Sequence, residues 1–140
     1  MANQEQLDIL KQGVDVWNEW LKRDSVSGWD VDLSDADLSN ADLVKVNFNN
    51  VIFHHAKLSY AKLNNADLSS ADFSGADLSV ADLSNADLRR ANFSDANLNY
   101  ADLSNAKFDE TNLSGAKLRE ARLENTDLMH VDLRKADLNN

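Results

Sequence analysis

The chain contains no cysteine and no proline, and it has only four glycines among 140 residues. The missing cysteines exclude disulfide scaffolds, thiolate zinc sites and cysteine nucleophiles, and leave a reducing compartment acceptable. Glycine this scarce, without proline, excludes collagen-like structure. No run of apolar residues approaches the roughly 18 needed for a transmembrane helix. The first thirty residues also lack a basic stretch leading into an apolar one, so a secretory leader is not expected and the expected location is cytoplasmic. Positive charge is in deficit, with 24 Asp and Glu against 14 Lys and Arg and a net charge of −10. Such a chain repels nucleic acid and anionic membrane, so the expected partner is a protein that is neutral or basic on its contacting face, with no direct nucleic-acid and no membrane contact.

What the chain does contain is order. From Val31 to Asn140 it divides without a gap into 22 units of five residues, beginning VDLSD, ADLSN, ADLVK and ending ADLNN. The third residue of every unit is Leu or Phe, and all five Phe (Phe48, Phe53, Phe73, Phe93, Phe108) fall there. The first residue is always Ala, Val or Thr. Strictness of this kind marks a repeat architecture.

A five-residue period matches neither the helical nor the strand period, so a straight element would rotate the Leu row through every direction. The chain must turn once per unit. Positions one and three share strand parity and point inward, a small residue beside a large one, while positions two, four and five point out. A turn of about ninety degrees per unit closes a coil in four units, and successive coils can then pair their backbones about 4.8 Å apart. The expected fold is therefore an all-β solenoid, a parallel quadrilateral β-helix of about 5.5 coils. Two patterns support a coil of four units. Phe53, Phe73 and Phe93 fall on one face and Phe48 and Phe108 on an adjacent one, with Leu at every core position of the other two. Each cation at the second position also has an acid one coil away: Lys57 between Asp37 and Asp77, Lys62 between Asp42 and Asp82, Lys107 between Asp87 and Asp127, Lys117 by Asp137, and Arg122 by Asp102. Exposed pairs of this kind contribute only about 0.2–1 kcal/mol each, but they disfavour slipped registers. Asp82 beside Asp102 is an uncompensated exception.

The units ADLSN at 36–40 and 81–85 and ANFSD at 91–95 follow the pattern A-(D/N)-L-X-X, and the chain resembles the pentapeptide-repeat family over residues 31–140. The resemblance implies a right-handed quadrilateral β-helix with positions one and three inward. Ile52 where Asp or Asn is usual, and Val31, Val46, Val51 and Val131 where Ala is usual, are departures expected to cause local bulges.

Ahead of the repeat, residues 4–23 read as one amphipathic helix, with Leu7, Leu10, Val14, Trp17 and Leu21 at three- and four-residue spacing and Asn3 and Gln6 placed as a capping box. Gly13 weakens it by roughly 1 kcal/mol. Residues 1–30 are thus expected to be an N-terminal α-helical cap and linker, with Asp24–Gly28 as the linker and Trp17, Trp20 and Trp29 clustered at the first coil. The segment ILKQGVDVWNEWL looks like helices that precede the repeats of cyanobacterial pentapeptide proteins, which implies a bacterial cytosolic origin.

No catalytic constellation is expected. His54 and His55 occupy outward positions and His130 lies nearly four coils away, which argues against a shared metal site. The recurring Asp and Ser lie on a convex surface without a pocket, which argues against acid-base or nucleophilic catalysis, so neither a cofactor nor a metal is expected. Two apolar features stand out instead. Tyr60, Val80 and Tyr100 share the outward fifth position one coil apart and should form a ridge, read either as a partner-binding surface or as local packing. Leu128, Leu133 and Leu138 lie in the last coil, which no helix follows, and suggest weak end-to-end homodimerisation there.

The favoured function is a non-catalytic protein-interaction or scaffold module. The alternative is a DNA mimic that binds and protects or inhibits a type II topoisomerase, as the resemblance to quinolone-resistance members of the family implies. Charge density opposes it. A prism of about 26 Å faces a duplex span of about 15 charges, whereas residues 31–140 carry a net charge of −7, divided by face as −3, −1, −1 and −2.

Overall fold

The structure is a computed structural model that describes residues 1–23 and 31–139. The expected linker Asp24–Gly28, together with Trp29 and Asn140, lies outside the described residues.

From residue 32 onward every second-position residue bridges in parallel to the residue twenty positions later, from Asp32–Ile52 through Lys117–Asp137, in eighteen bridges. Four units therefore make one coil. Its four faces begin at residues 31, 36, 41 and 46 and are called here the first to the fourth. Rungs between coils share a fixed pattern of backbone hydrogen bonds. At the Leu58 rung, for example, Leu58 N–H donates to the Asp77 carbonyl (2.7 Å), Tyr60 N–H to the Ser79 carbonyl (3.0 Å) and Asp77 N–H back to the Ala56 carbonyl (2.9 Å).

At each corner the first residue of a unit donates its N–H to the third residue of the preceding unit, as Ala61 does to Leu58 at 3.0 Å. The fifth residue holds a positive φ, from 61° at Asp35 to 62° at Lys135. A positive φ at the third residue of a four-residue turn is the mark of a type II turn, which glycine and asparagine adopt most readily. This explains Gly75, Gly115 and the asparagines at 40, 50, 65, 85, 105 and 125. Gly75 has a further reason, because a Cβ there would come within 2.5 Å of the His55 ring. The second position has its own duty. Every Asp or Asn there accepts the N–H of the fourth residue, as Asp72 does from Ser74 at 3.0 Å and Asn92 from Ser94 at 3.1 Å. These Asx turns are the physical content of the D/N in the repeat, which a reading of the second position as simply outward misses.

From Val31 to Leu118 the first and third positions are buried as expected, apart from the partly buried Ala41, whereas from Ala121 onward they are only partly buried and Leu138 is exposed. Phe53, Phe73 and Phe93 stack nearly parallel at 4.7 and 4.9 Å, and Phe48 meets Phe53 edge-on at 4.8 Å. The bulges expected at the departures do not occur. Val31, Val46 and Val51 are fully buried, and the ladder runs through Ile52 to both Asp32 and Asp72. A valine methyl fits the core without disturbing the corner, and Ile52 forgoes only the Asx turn.

The single helix expected over 4–23 is two helices, α1 (Gln4–Leu10) and α2 (Val14–Arg23). Gly13, with φ 116°, ends the first by donating to the Leu10 carbonyl and opens the second by accepting from Trp17. Asn3 caps α1 as expected, its Oδ1 accepting from Glu5 and Gln6 N–H. The box is not completed, because the Gln6 side chain accepts from Asp32 N–H on the first coil. Both helices pack on the solenoid core through Leu10 and Trp17, with Leu7, Ile9, Val14, Trp20 and Leu21 partly buried against it.

Candidate interaction surfaces

The repeat positions its outward side chains by rule, so each face is a ruled array and each corner a column. Tyr60, Val80 and Tyr100 form consecutive members of the corner between the second and third faces, each donating its N–H to the coil below. They are 60%, 41% and 56% exposed. All three hold φ near 60°, and Val80 is the only β-branched residue at a described fifth position. A β-branched residue in the left-handed region is a true outlier, and that region costs an L-residue about 1–2 kcal/mol.

The flanks of this ridge are mixed in charge and partly self-compensated. Arg122 reaches Asp102 at 3.3 Å and Lys62 reaches Asp42 at 3.9 Å. Arg119 meets Asp137 at 2.7 Å and holds that carboxyl below its ordinary range. Of the five cations expected beside acids, all keep the expected register, but only Lys62 and Arg122 make ion pairs within 4 Å with those partners. Other pairs are formed by fourth- and fifth-position residues: Arg89 grips Asp87 through two bonds of 2.8 and 2.6 Å, and Arg90 meets Glu110 at 3.0 Å.

His54 and His130 each meet a different carboxylate. His54 Nε2 lies 2.8 Å from Asp72 Oδ2, whose other oxygen accepts from Asn92. Burial pushes the Asp72 carboxyl up, but the bonds from His54 and Ser74 together outweigh it and hold it below the usual range. His130 faces Asp109 at 3.5 Å. No group of three or more His, Asp or Glu among the described residues is arranged to hold a metal ion. No helix among them is long and apolar enough to cross a membrane.

In the last coil Leu128 and Leu133 are partly buried against the core, while Leu138 is 48% exposed, so the column from Leu38 is buried only through Leu118. Met129, 65% exposed, adds to this apolar end and was not singled out by sequence.

The signature of pentapeptide repeats matches this chain in eight copies, over residues 32–69, 71–109 and 106–140. The chain belongs to the pentapeptide-repeat family, whose members fold as right-handed quadrilateral β-helices and are generally non-catalytic structural or interaction modules. It is similar to HetL of the cyanobacterium Nostoc sp. strain PCC 7120, a protein involved in heterocyst differentiation regulation, at 32% identity and a TM-score of 0.52, covering 81% of this chain and 57% of HetL. It is also similar to alr5209 of Nostoc PCC 7120, at 37% identity and a TM-score of 0.61, covering 72% of this chain and 83% of that one. A third likeness is to QnrB1, a plasmid-mediated fluoroquinolone resistance protein, at 25% identity and a TM-score of 0.56, covering 78% of this chain and 62% of QnrB1. The chain thus spans just over half the length of HetL. No curated protein sequence matches it significantly.

Proposed function

We propose that the protein is a rigid protein-binding module whose contact surface is the ridge Tyr60–Val80–Tyr100. The observation that carries this reading is Val80, exposed in a backbone conformation that disfavours valine, at a corner position where asparagine is common. Strain without burial in the free protein is the pattern expected where a side chain serves a contact made elsewhere. The partner is a protein presenting apolar side chains between neutral polar groups, since the ridge is bordered by Ser59, Ser79 and Asn99 and its flanking charges are mixed.

The test compares Val80→Asn with Tyr60→Ser/Tyr100→Ser in capture of interacting proteins from the organism of origin. Val80→Asn should fold with greater stability by about 1 kcal/mol and lose the captured protein. Retention of one partner by both variants would sink the ridge. The same reading places the boundary between N-terminal cap and rod at residue 31, assigns residues 31–140 to one rod of 22 units and about 5.5 coils, and assigns the protein to the cytoplasm.

The likeness to QnrB1 favours a second reading, binding to a type II topoisomerase by DNA mimicry. Low net charge on every face weighs against it. A supercoiling assay separates the two, because inhibition at micromolar protein would overturn the ranking. The apolar side chains Leu128, Leu133 and Leu138 support a further proposal, weak self-association through the last coil. Sedimentation equilibrium tests it: a dimer abolished by Leu133→Asp is expected, and a monomer up to several hundred micromolar would refute it.

A further inference from the structure

The two tyrosines of the exposed corner column stand two coils apart, with Val80 between them. Core rings one coil apart stack at 4.7 and 4.9 Å, so positions two coils apart repeat at about 9.6 Å along the rod. Among the described residues neither tyrosine makes a ring contact and neither hydroxyl has a hydrogen-bond partner. The ridge backbone, by contrast, is engaged. Tyr60, Val80 and Tyr100 N–H donate to the Ser79, Asn99 and Arg119 carbonyls at 3.0, 2.9 and 2.9 Å, which leaves no N–H there for an added strand. A segment lying along the ridge is therefore held by its side chains and by the two phenols.

A segment that meets both rings must repeat at their spacing. A β-strand returns a side chain to one face at about 6.7 Å and then about 13 Å, and so misses the second ring. An α-helix comes nearest with residues seven apart, at about 10.5 Å, but helices dock in grooves and this surface is a ridge. A polyproline II segment returns every third residue, at about 9.3 Å, close to the repeat of the ridge. It has no internal hydrogen bonds, so its carbonyls are free to accept from the two phenol O–H groups. Charge adds a further element. Asp82, two residues beyond Val80, and Glu120, next in the column after Tyr100, make no ion pair among the described residues. The neighbouring cations already face other acids: Lys62 meets Asp42 at 3.9 Å, Arg122 meets Asp102 at 3.3 Å and Arg119 meets Asp137 at 2.7 Å. The Tyr100 end of the ridge is thus complementary to a cation.

We infer that the ridge recognises a polyproline II segment with prolines three residues apart, Pro-x-x-Pro, one against each tyrosine, and a lysine or arginine at its Tyr100 end. This inference rests on the reading of the ridge as the contact surface and narrows the partner to a protein with a proline-rich, basic segment.

NMR titration of the full chain with the end-blocked peptide KAAPAAPAAK tests it, against KAAAPPAAAK, which has the same composition but adjacent prolines. The ring resonances of Tyr60 and Tyr100 should shift together and saturate with the first peptide, and the second should bind about tenfold more weakly. Tyr100→Ser should weaken binding of the first peptide about tenfold, and Asp82→Asn/Glu120→Gln about two- to threefold, the latter effect vanishing in about 1 M salt. Equal binding of the two peptides, or shifts that spare either tyrosine, overturns the inference. A protein captured from the organism of origin should be displaced by the first peptide. Capture that is lost in Tyr60→Ser/Tyr100→Ser but resists the peptide overturns the polyproline assignment and leaves the ridge standing as a contact surface. Capture that is unchanged in that variant overturns both.

Discussion

The first coil and the last obey the same five-residue code, yet they meet the ends of the solenoid differently. Above the first coil, helix-borne groups stand in for a missing coil. Asp32 N–H finds the Gln6 side chain (3.2 Å) and its carbonyl accepts from Asn3 N–H (2.9 Å). Asn47 N–H finds the Asn18 side chain (2.8 Å) and its carbonyl accepts from the Trp17 indole (2.8 Å). Trp17 is fully buried edge-on against Phe48, at 5.6 Å, and continues the aromatic column upward. In the last coil the corresponding apolar residues stay partly open, with Leu138 about half exposed. The comparison teaches that the repeat fixes what happens between coils but not at an end, where each unpaired backbone group needs an individual partner.

Removing the seal should have the largest effect. Trp17→Ala empties a buried indole site and orphans the Asn47 carbonyl, costing about 3–5 kcal/mol, whereas Leu138→Ala at the other end should cost less than about 1 kcal/mol. Equal losses in urea denaturation would mean that the two ends are equally closed. Leu78→Ala, midway between them, should cost about 2–5 kcal/mol by leaving a cavity, and Ser79→Ala on the same unit less than about 0.5 kcal/mol. Comparable values would invert the inward and outward assignment.

The smallest effect is in acid. Asp132 in the last coil, held by Arg134, titrates at about 2, and Asp72 in the middle of the rod is also lowered from 3.8. A carboxyl lowered in the folded state contributes stability that is fully present above its unfolded value and is lost as pH falls through its folded value. Stability should therefore decline from about pH 4 toward pH 2. Carboxyl resonances of Asp72 and Asp132 followed by NMR should both move with midpoints below 3.8. A midpoint at or above that value for Asp72 would show that burial outweighs its bonds to His54 and Ser74.

The solenoid was legible because its determinants are local and recur 22 times. A Leu or Phe at every third position and a small residue at every first leave one way to bury both, and the charges at Lys57, Lys62 and Lys107 report the register. The left-handed corners are equally encoded, since Asn and Gly crowd the fifth position, but they carry no hydrophobic signal. Of the candidate surfaces, the Tyr60–Val80–Tyr100 column follows from arithmetic on the repeat, while the strain at Val80 needs a backbone angle.

The sequence by itself determined the period, the coil and the inward and outward positions, because each depends only on residues five or twenty apart. Tertiary structure decided what depends on a single geometric choice. Gly13 divides the N-terminal helix because its φ is positive, and the capping box is replaced by two bonds to the first coil, Asp32 N–H to the Gln6 side chain and Asn3 N–H to the Asp32 carbonyl. Thr111 and Thr126 look alike in the repeat, but one hydroxyl reaches the coil above and the other its own corner. Such choices lie between neighbouring acceptors of nearly equal reach, and composition and spacing cannot distinguish them.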